Sequence, residues 1–95
     1  MKESQSLTNN LLIEVDVLSN RLRNIKQTYQ STENQALKER LFSENKTIFK
    51  RVNEIYKIAE ILNQNNEKTN FSNLLIEITK RTLNENKFES NLFFL

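Results

Sequence analysis

The chain has 95 residues, a formal net charge of +2, and no glycine, proline, cysteine or histidine. This composition excludes disulfides, Cys/His zinc sites, nucleophile pairs that need histidine, and glycine-rich phosphate loops. A sandwich or barrel whose turns lack both glycine and proline is strongly disfavoured, so we predict a single all-α domain over residues 1–95.

The first predicted helix covers about residues 5–29. Its apolar residues recur at alternating intervals of four and three, which aligns them along one stripe of a helix. The stripe comprises Leu11, Val15, Leu18, Leu22, Ile25 and Tyr29. A stripe of this kind is stable in water only when another element covers it, so the pattern predicts a packed helix.

A turn is expected directly after this helix, because residues 30–35 are all polar. Gln30 or Asn34 would then take the left-handed conformation that commonly ends a helix. Thr32 and Gln35 have the spacing of a capping box, which predicts that a second helix starts at this point.

The second predicted helix covers about residues 33–64 and carries two parallel apolar rows. The first row repeats every seven residues: Leu41, Ile48, Ile55 and Leu62. The second row lies one position further along the chain: Phe42, Phe49 and Tyr56. Together the rows form a face wider than a two-stranded seam needs, which indicates more than one packing partner.

The third predicted helix covers about residues 70–86, with Thr69 or Asn70 as its cap. Its expected apolar face comprises Phe71, Leu74, Leu75 and Ile78. A hydrophobic tail follows over residues 88–95 and finishes with four apolar residues: Leu92, Phe93, Phe94 and Leu95.

These elements predict a long antiparallel hairpin with a shorter third helix over its open end, similar to a three-helix bundle. The alternative is one continuous helix over about residues 5–64. In the hairpin, the apolar segments 11–18 and 55–62 meet at the open end, where we expect the third helix to bury them. The end near the turn would be thin, leaving Phe42 and Phe49 close to solvent unless the tail or a partner covers them.

The function that we expect is non-catalytic: a helical protein–protein interaction module, such as an adaptor, a regulator or a small chaperone-like protein. It would bury an apolar helix face against a second copy or another protein. The candidate partner-binding residues are Phe42, Phe49, Tyr56, Leu92, Phe93, Phe94 and Leu95. We assign no catalytic, cofactor-binding or metal-binding residue, and we expect a cytoplasmic protein with no signal peptide and no membrane span.

Two other functions are compatible with the sequence. A basic stripe of Lys46, Lys50 and Lys57 would support weak, salt-sensitive nucleic-acid binding, although acidic neighbours dilute its potential. A small mutase-type enzyme would instead need converging cations to hold an anionic substrate. The available cations on the first two helices are Arg21, Arg23, Lys26, Arg40, Lys46 and Arg51.

Overall fold

The structure, a computed structural model, describes residues 2–64 and 70–86, with side chains from residue 6 and, after the gap, from residue 72. It contains three helices: α1 (Lys2–Ser31), α2 (Gln35–Gln64) and α3 (Asn70–Glu85). The described part of the chain contains no strand, which confirms the expected all-α class. The break at residues 32–34 shows that α1 and α2 form a hairpin, so the continuous-helix alternative is wrong.

The turn between α1 and α2 is capped by Asn34. Its Oδ1 accepts a hydrogen bond from the Leu37 backbone N–H at 3.0 Å, and its carbonyl accepts the first helical bond of α2. Asn34 is therefore the N-cap of α2. The expected capping box on Thr32 is wrong, because the Thr32 hydroxyl accepts from the Asn34 backbone N–H and stabilises the turn instead.

Each helix contacts the other two, so the molecule is an elongated bundle with extents of 49 × 20 × 16 Å. We call the end at the turn the closed end, and the end where α1 begins and α2 finishes the open end. The buried apolar core forms two clusters. The closed-end cluster comprises Leu22, Ile25, Leu41, Ile48 and Val52. The open-end cluster comprises Leu11, Val15, Ile55, Ala59 and Leu75.

Helix α3 reaches further towards the closed end than its length suggested. Leu83 packs against the closed-end cluster, and Lys26 Nζ donates to the Glu85 carbonyl oxygen at 3.4 Å. Leu41 and Ile48 are consequently buried. We expected the third helix to leave the closed end uncovered. That expectation is wrong as far as the level that Leu83 and Glu85 reach.

The buried face of α3 also differs from the expected one. Leu75 is buried, but Leu74 is exposed and Ile78 is half-buried, while four polar side chains face the core. These are Ser72, Thr79, Thr82 and Asn86. Thr79 meets its hydrogen-bonding need within its own helix, since its hydroxyl lies 2.9 Å from the carbonyl oxygens of both Leu75 and Ile76 and its one proton is shared between them. Small hydroxyl residues therefore let α3 lie close to the hairpin.

The remaining expectations about this part of the chain fall on residues that the structure does not describe. They are the caps at Thr69 and Asn70, the side chain of Phe71, and the tail at residues 88–95. Among the described residues, no helix combines the length and the apolar character that crossing a membrane requires.

Candidate interaction surface

The aromatic row of α2 lies along the side of the hairpin that carries α3. Phe42, Phe49 and Tyr56 are all half-buried, so each ring keeps part of its surface in contact with solvent. Phe49 packs against the same buried cluster as Leu83, which places the middle of the row beside α3. The row is therefore neither core nor free surface, but the edge of a seam between two helices.

Helix α3 supplies the other edge of this seam. Ile76 and Leu83 are spaced by seven residues and are both half-buried. Leu75 belongs to the open-end cluster with Ile55 and Ala59, and Leu83 packs against the closed-end cluster as Phe49 does, so α3 runs antiparallel to α2.

Two lysines near the closed end lie over aromatic rings, one of which, Phe42, belongs to the row. Lys46 Nζ lies 5.8 Å from the centre of the Phe42 ring, and Lys38 Nζ lies 5.2 Å from the centre of the Tyr29 ring. Cation–π contacts of this kind are worth about 0.5–1 kcal/mol at exposed sites. The closed-end part of the row is thus both apolar and positively charged.

The opposite face of the hairpin is closed by ion pairs between α1 and α2. Arg51 Nε and Nη2 donate to the two carboxylate oxygens of Glu14 at 2.6 and 2.9 Å. Arg21 binds Glu44 in the same two-pronged way, at 2.5 and 2.7 Å. The guanidinium hydrogen bonds lower the pKa of both Glu14 and Glu44 below the usual carboxyl range. The charges of these two arginines and two glutamates are therefore already paired with each other within the chain.

The cations considered for an anion-binding enzyme are distributed over several surfaces. Arg21 and Arg51 are engaged by glutamates, and Lys26 donates to the end of α3. Arg23 lies in an open groove between α1 and α3, together with Arg81 and two acidic residues. The full lining of this groove is Asp16, Ser19, Arg23, Ile78, Arg81, Thr82 and Glu85. Its charges are mixed, so the groove is not selective for an anion.

The lysine stripe proposed for nucleic acid lies on the outside of α2. Lys46, Lys50 and Lys57 are all exposed. The neighbouring Arg51 does not add to the stripe, because it binds Glu14 and lies 3.9 Å from Glu54. The cationic surface is therefore limited to these three residues along about three turns of one helix.

Sequence reasoning missed the most exposed apolar residues. Val17 is 61% exposed, Ile13 is 58% exposed and Ile61 is 56% exposed, although all three belong to segments that we expected to be buried. Leu7 and Leu74 are also exposed near the open end. The helical positions could have revealed Ile13 and Val17, because both point away from the stripe that contains Val15. A third helix can cover only one side of the hairpin.

The tail residues proposed for partner binding, Leu92 to Leu95, lie outside the described part of the chain. The chain matches no protein-family model, and no curated protein or solved structure is significantly similar to it. The proposals below are therefore argued from the geometry of this chain.

Proposed function

We propose that this protein is a helical interaction module that binds an apolar helix along the aromatic row of α2. The observation that carries the proposal is the placement of Phe42, Phe49 and Tyr56 at successive heptads, each half-buried. Rings spaced by seven residues match the repeat with which a second helix presents its own apolar side chains. A half-buried ring is already held in part by its neighbours, so a partner that covers it has less side-chain entropy to remove than on a fully exposed ring.

The proposal is supported by the contrast between the two long faces of the hairpin. The face with Glu14 and Arg21 is closed by two-pronged ion pairs to α2. The seam between α2 and α3 instead offers aromatic and aliphatic side chains with lysines at its edge. Binding there would remove apolar surface from water, which contributes about 25 cal/mol per Å².

The test compares two double variants in an association assay. Phe42→Ser with Tyr56→Ser removes the two outer rings of the row, and leaves Phe49, which packs against the core. Ile13→Ser with Val17→Ser removes a comparable amount of exposed apolar surface from α1 and is the matched control. We expect association, measured by in-cell crosslinking and sedimentation, to be lost only in the row variant.

Circular dichroism of each variant must show unchanged helicity, so that lost association is not mistaken for unfolding. If the α1 variant loses association and the row variant keeps it, the binding surface is the outer face of α1 and the proposal is wrong. If both variants associate as the unmodified chain does, neither surface binds a partner.

A further inference from the structure

The aromatic row is symmetric about its central residue. Phe42 and Tyr56 each lie seven residues from Phe49. When two copies of α2 pack antiparallel with the two Phe49 rings at the two-fold axis, each Phe42 faces the partner's Tyr56. An interface of this kind uses the same patch on both copies, as a closed dimer requires.

Opposite charges lie at matching distances on either side of this axis. Lys38 precedes Phe49 by eleven residues, and Glu60 follows it by eleven. Eleven residues make just over three full helical turns, so both side chains lie on the same side of α2 as the row. In the antiparallel pair, each Lys38 therefore faces the partner's Glu60, which gives two complementary contacts.

Within one chain these two charges cannot meet. They are separated by 22 residues of a continuous helix, or about 33 Å. Glu60 forms no ion pair with any residue that the structure describes, and Lys38 lies over the Tyr29 ring. Their complementarity is therefore unused in the monomer and is realised only between two copies.

The exposed apolar pair on α1 lacks this property. An antiparallel contact that places Ile13 opposite the partner's Val17 brings Asp16 level only with the partner's Glu14, whose charge is already paired with Arg51. The charge pattern therefore offers complementary contacts for self-association through α2 and none of this kind through α1.

We infer that the occupant of the aromatic row is a second copy of this chain, packed antiparallel about Phe49. This inference rests on the proposed function and specifies the partner of the same surface. Phe42 stacks with the partner's Tyr56, the two Phe49 rings meet, and Lys38 pairs with the partner's Glu60 at both ends of the contact.

A charge-reversal series tests this geometry by sedimentation at low ionic strength. Lys38→Glu and Glu60→Lys each convert both attractive contacts of the dimer into repulsive ones, so each raises the dimer Kd about tenfold. The combined variant, Lys38→Glu with Glu60→Lys, restores the Kd to within about twofold. Lys50→Glu, which makes the same charge change on the outside of α2, leaves the Kd unchanged within about twofold.

A mixing experiment gives a second, independent readout. The Lys38→Glu variant repels itself, as does the Glu60→Lys variant, but the contacts between the two variants are all attractive. An equimolar mixture in which one variant is uniformly labelled with nitrogen-15 is therefore expected to form heterodimers, which native mass spectrometry separates from both homodimers by the mass of the label. If the two homodimers and the heterodimer instead form in the proportions expected from random pairing, the inference is overturned.

The inference is also overturned if the unmodified chain stays monomeric up to about 1 mM, since a contact weaker than that contributes under about 4 kcal/mol. A failure of this inference can be distinguished from a failure of the proposed function. If the charge variants match the Lys50→Glu control while Phe42→Ser with Tyr56→Ser still weakens association, the row binds a partner in another orientation or a different protein.

Discussion

Reversing the charge of Arg21 tests how the α1–α2 hairpin is held together. Arg21 binds both carboxylate oxygens of Glu44, so Arg21→Glu replaces a two-pronged attraction with two facing carboxylates. Glu44→Arg makes the opposite change. In the combined variant the pair is restored with its charges exchanged, which makes the three variants a complete double-mutant cycle.

The size of the effect follows from exposure. The Arg21 side chain is 48% exposed and that of Glu44 is 39% exposed, so water screens the attraction. A pair of this kind contributes about 0.5–1 kcal/mol, the upper part of the surface range because the geometry is two-pronged. Repulsion of similar size in Arg21→Glu brings the expected loss to about 1–2 kcal/mol. For a domain of this size, that lowers Tm by roughly 4–16 °C.

The assay is thermal and urea unfolding, followed by far-UV circular dichroism at low and high salt. The combined variant should recover most of the lost stability, and salt should reduce the differences between variants because screening weakens exposed pairs. The reasoning is refuted if the coupling between the two substitutions is below about 0.3 kcal/mol, the level at which independent sites simply add.

Three further predictions concern pH, the turn and the third helix. The ion pairs hold the pKa of Glu14 and Glu44 below the usual carboxyl range. Their contribution to folding stability is therefore present above that range and is lost as the pH falls through the lowered values. Acid titration of the Glu14→Gln variant should show a shallower loss of stability than that of the unmodified chain. Asn34→Ala removes the N-cap of α2 and should cost about 1 kcal/mol in urea unfolding, while Asn34→Asp retains it. Thr79→Leu overfills a fully buried site and should cost about 1–3 kcal/mol. Thr79→Val keeps the volume and removes only a hydroxyl bonded within its own helix, so it should cost about 1 kcal/mol or less.

The helical class and the hairpin could be predicted because apolar periodicity reports directly on the face that a helix buries. Val15, Leu22 and Ile25 belong to the predicted stripe of α1, and all three are fully buried. Leu41, Ile48 and Ile55 belong to the predicted apolar row of α2, and all three are buried. These residues have no other way to leave water, so sequence spacing and burial agree.

In α3, apolar spacing does not predict burial as well, because polar residues are buried too. Thr79 and Ser72 are fully buried, although their hydroxyls predict exposure on any hydropathy scale. A threonine in a helix can donate to the carbonyl four residues earlier, so burial does not leave its hydroxyl without a partner. The spacing of leucine and isoleucine was therefore correct for Leu75 and Ile78, which lie in or against the open-end cluster, and wrong for Leu74, which is exposed.

Two further features depended on long-range geometry that spacing does not contain. Asn34 and Thr32 are both residue types that cap helices, and the position of the break decides which one does so here. The aromatic row was predictable as a row, but the packing of Phe49 and Leu83 against one cluster depends on where α3 lies.

The charges on the hairpin also oppose domain swapping, in which two copies would exchange helices. In the observed register Glu14 faces Arg51 and Arg21 faces Glu44. A shift of one heptad preserves the apolar pattern, but it brings Arg21 opposite Arg51 in one direction and Glu14 opposite Glu44 in the other. The three-residue turn at 32–34 favours the same register, because a shift would unwind part of a helix. Both devices hold α1 against its own α2, so they oppose the exchange of helices between two copies.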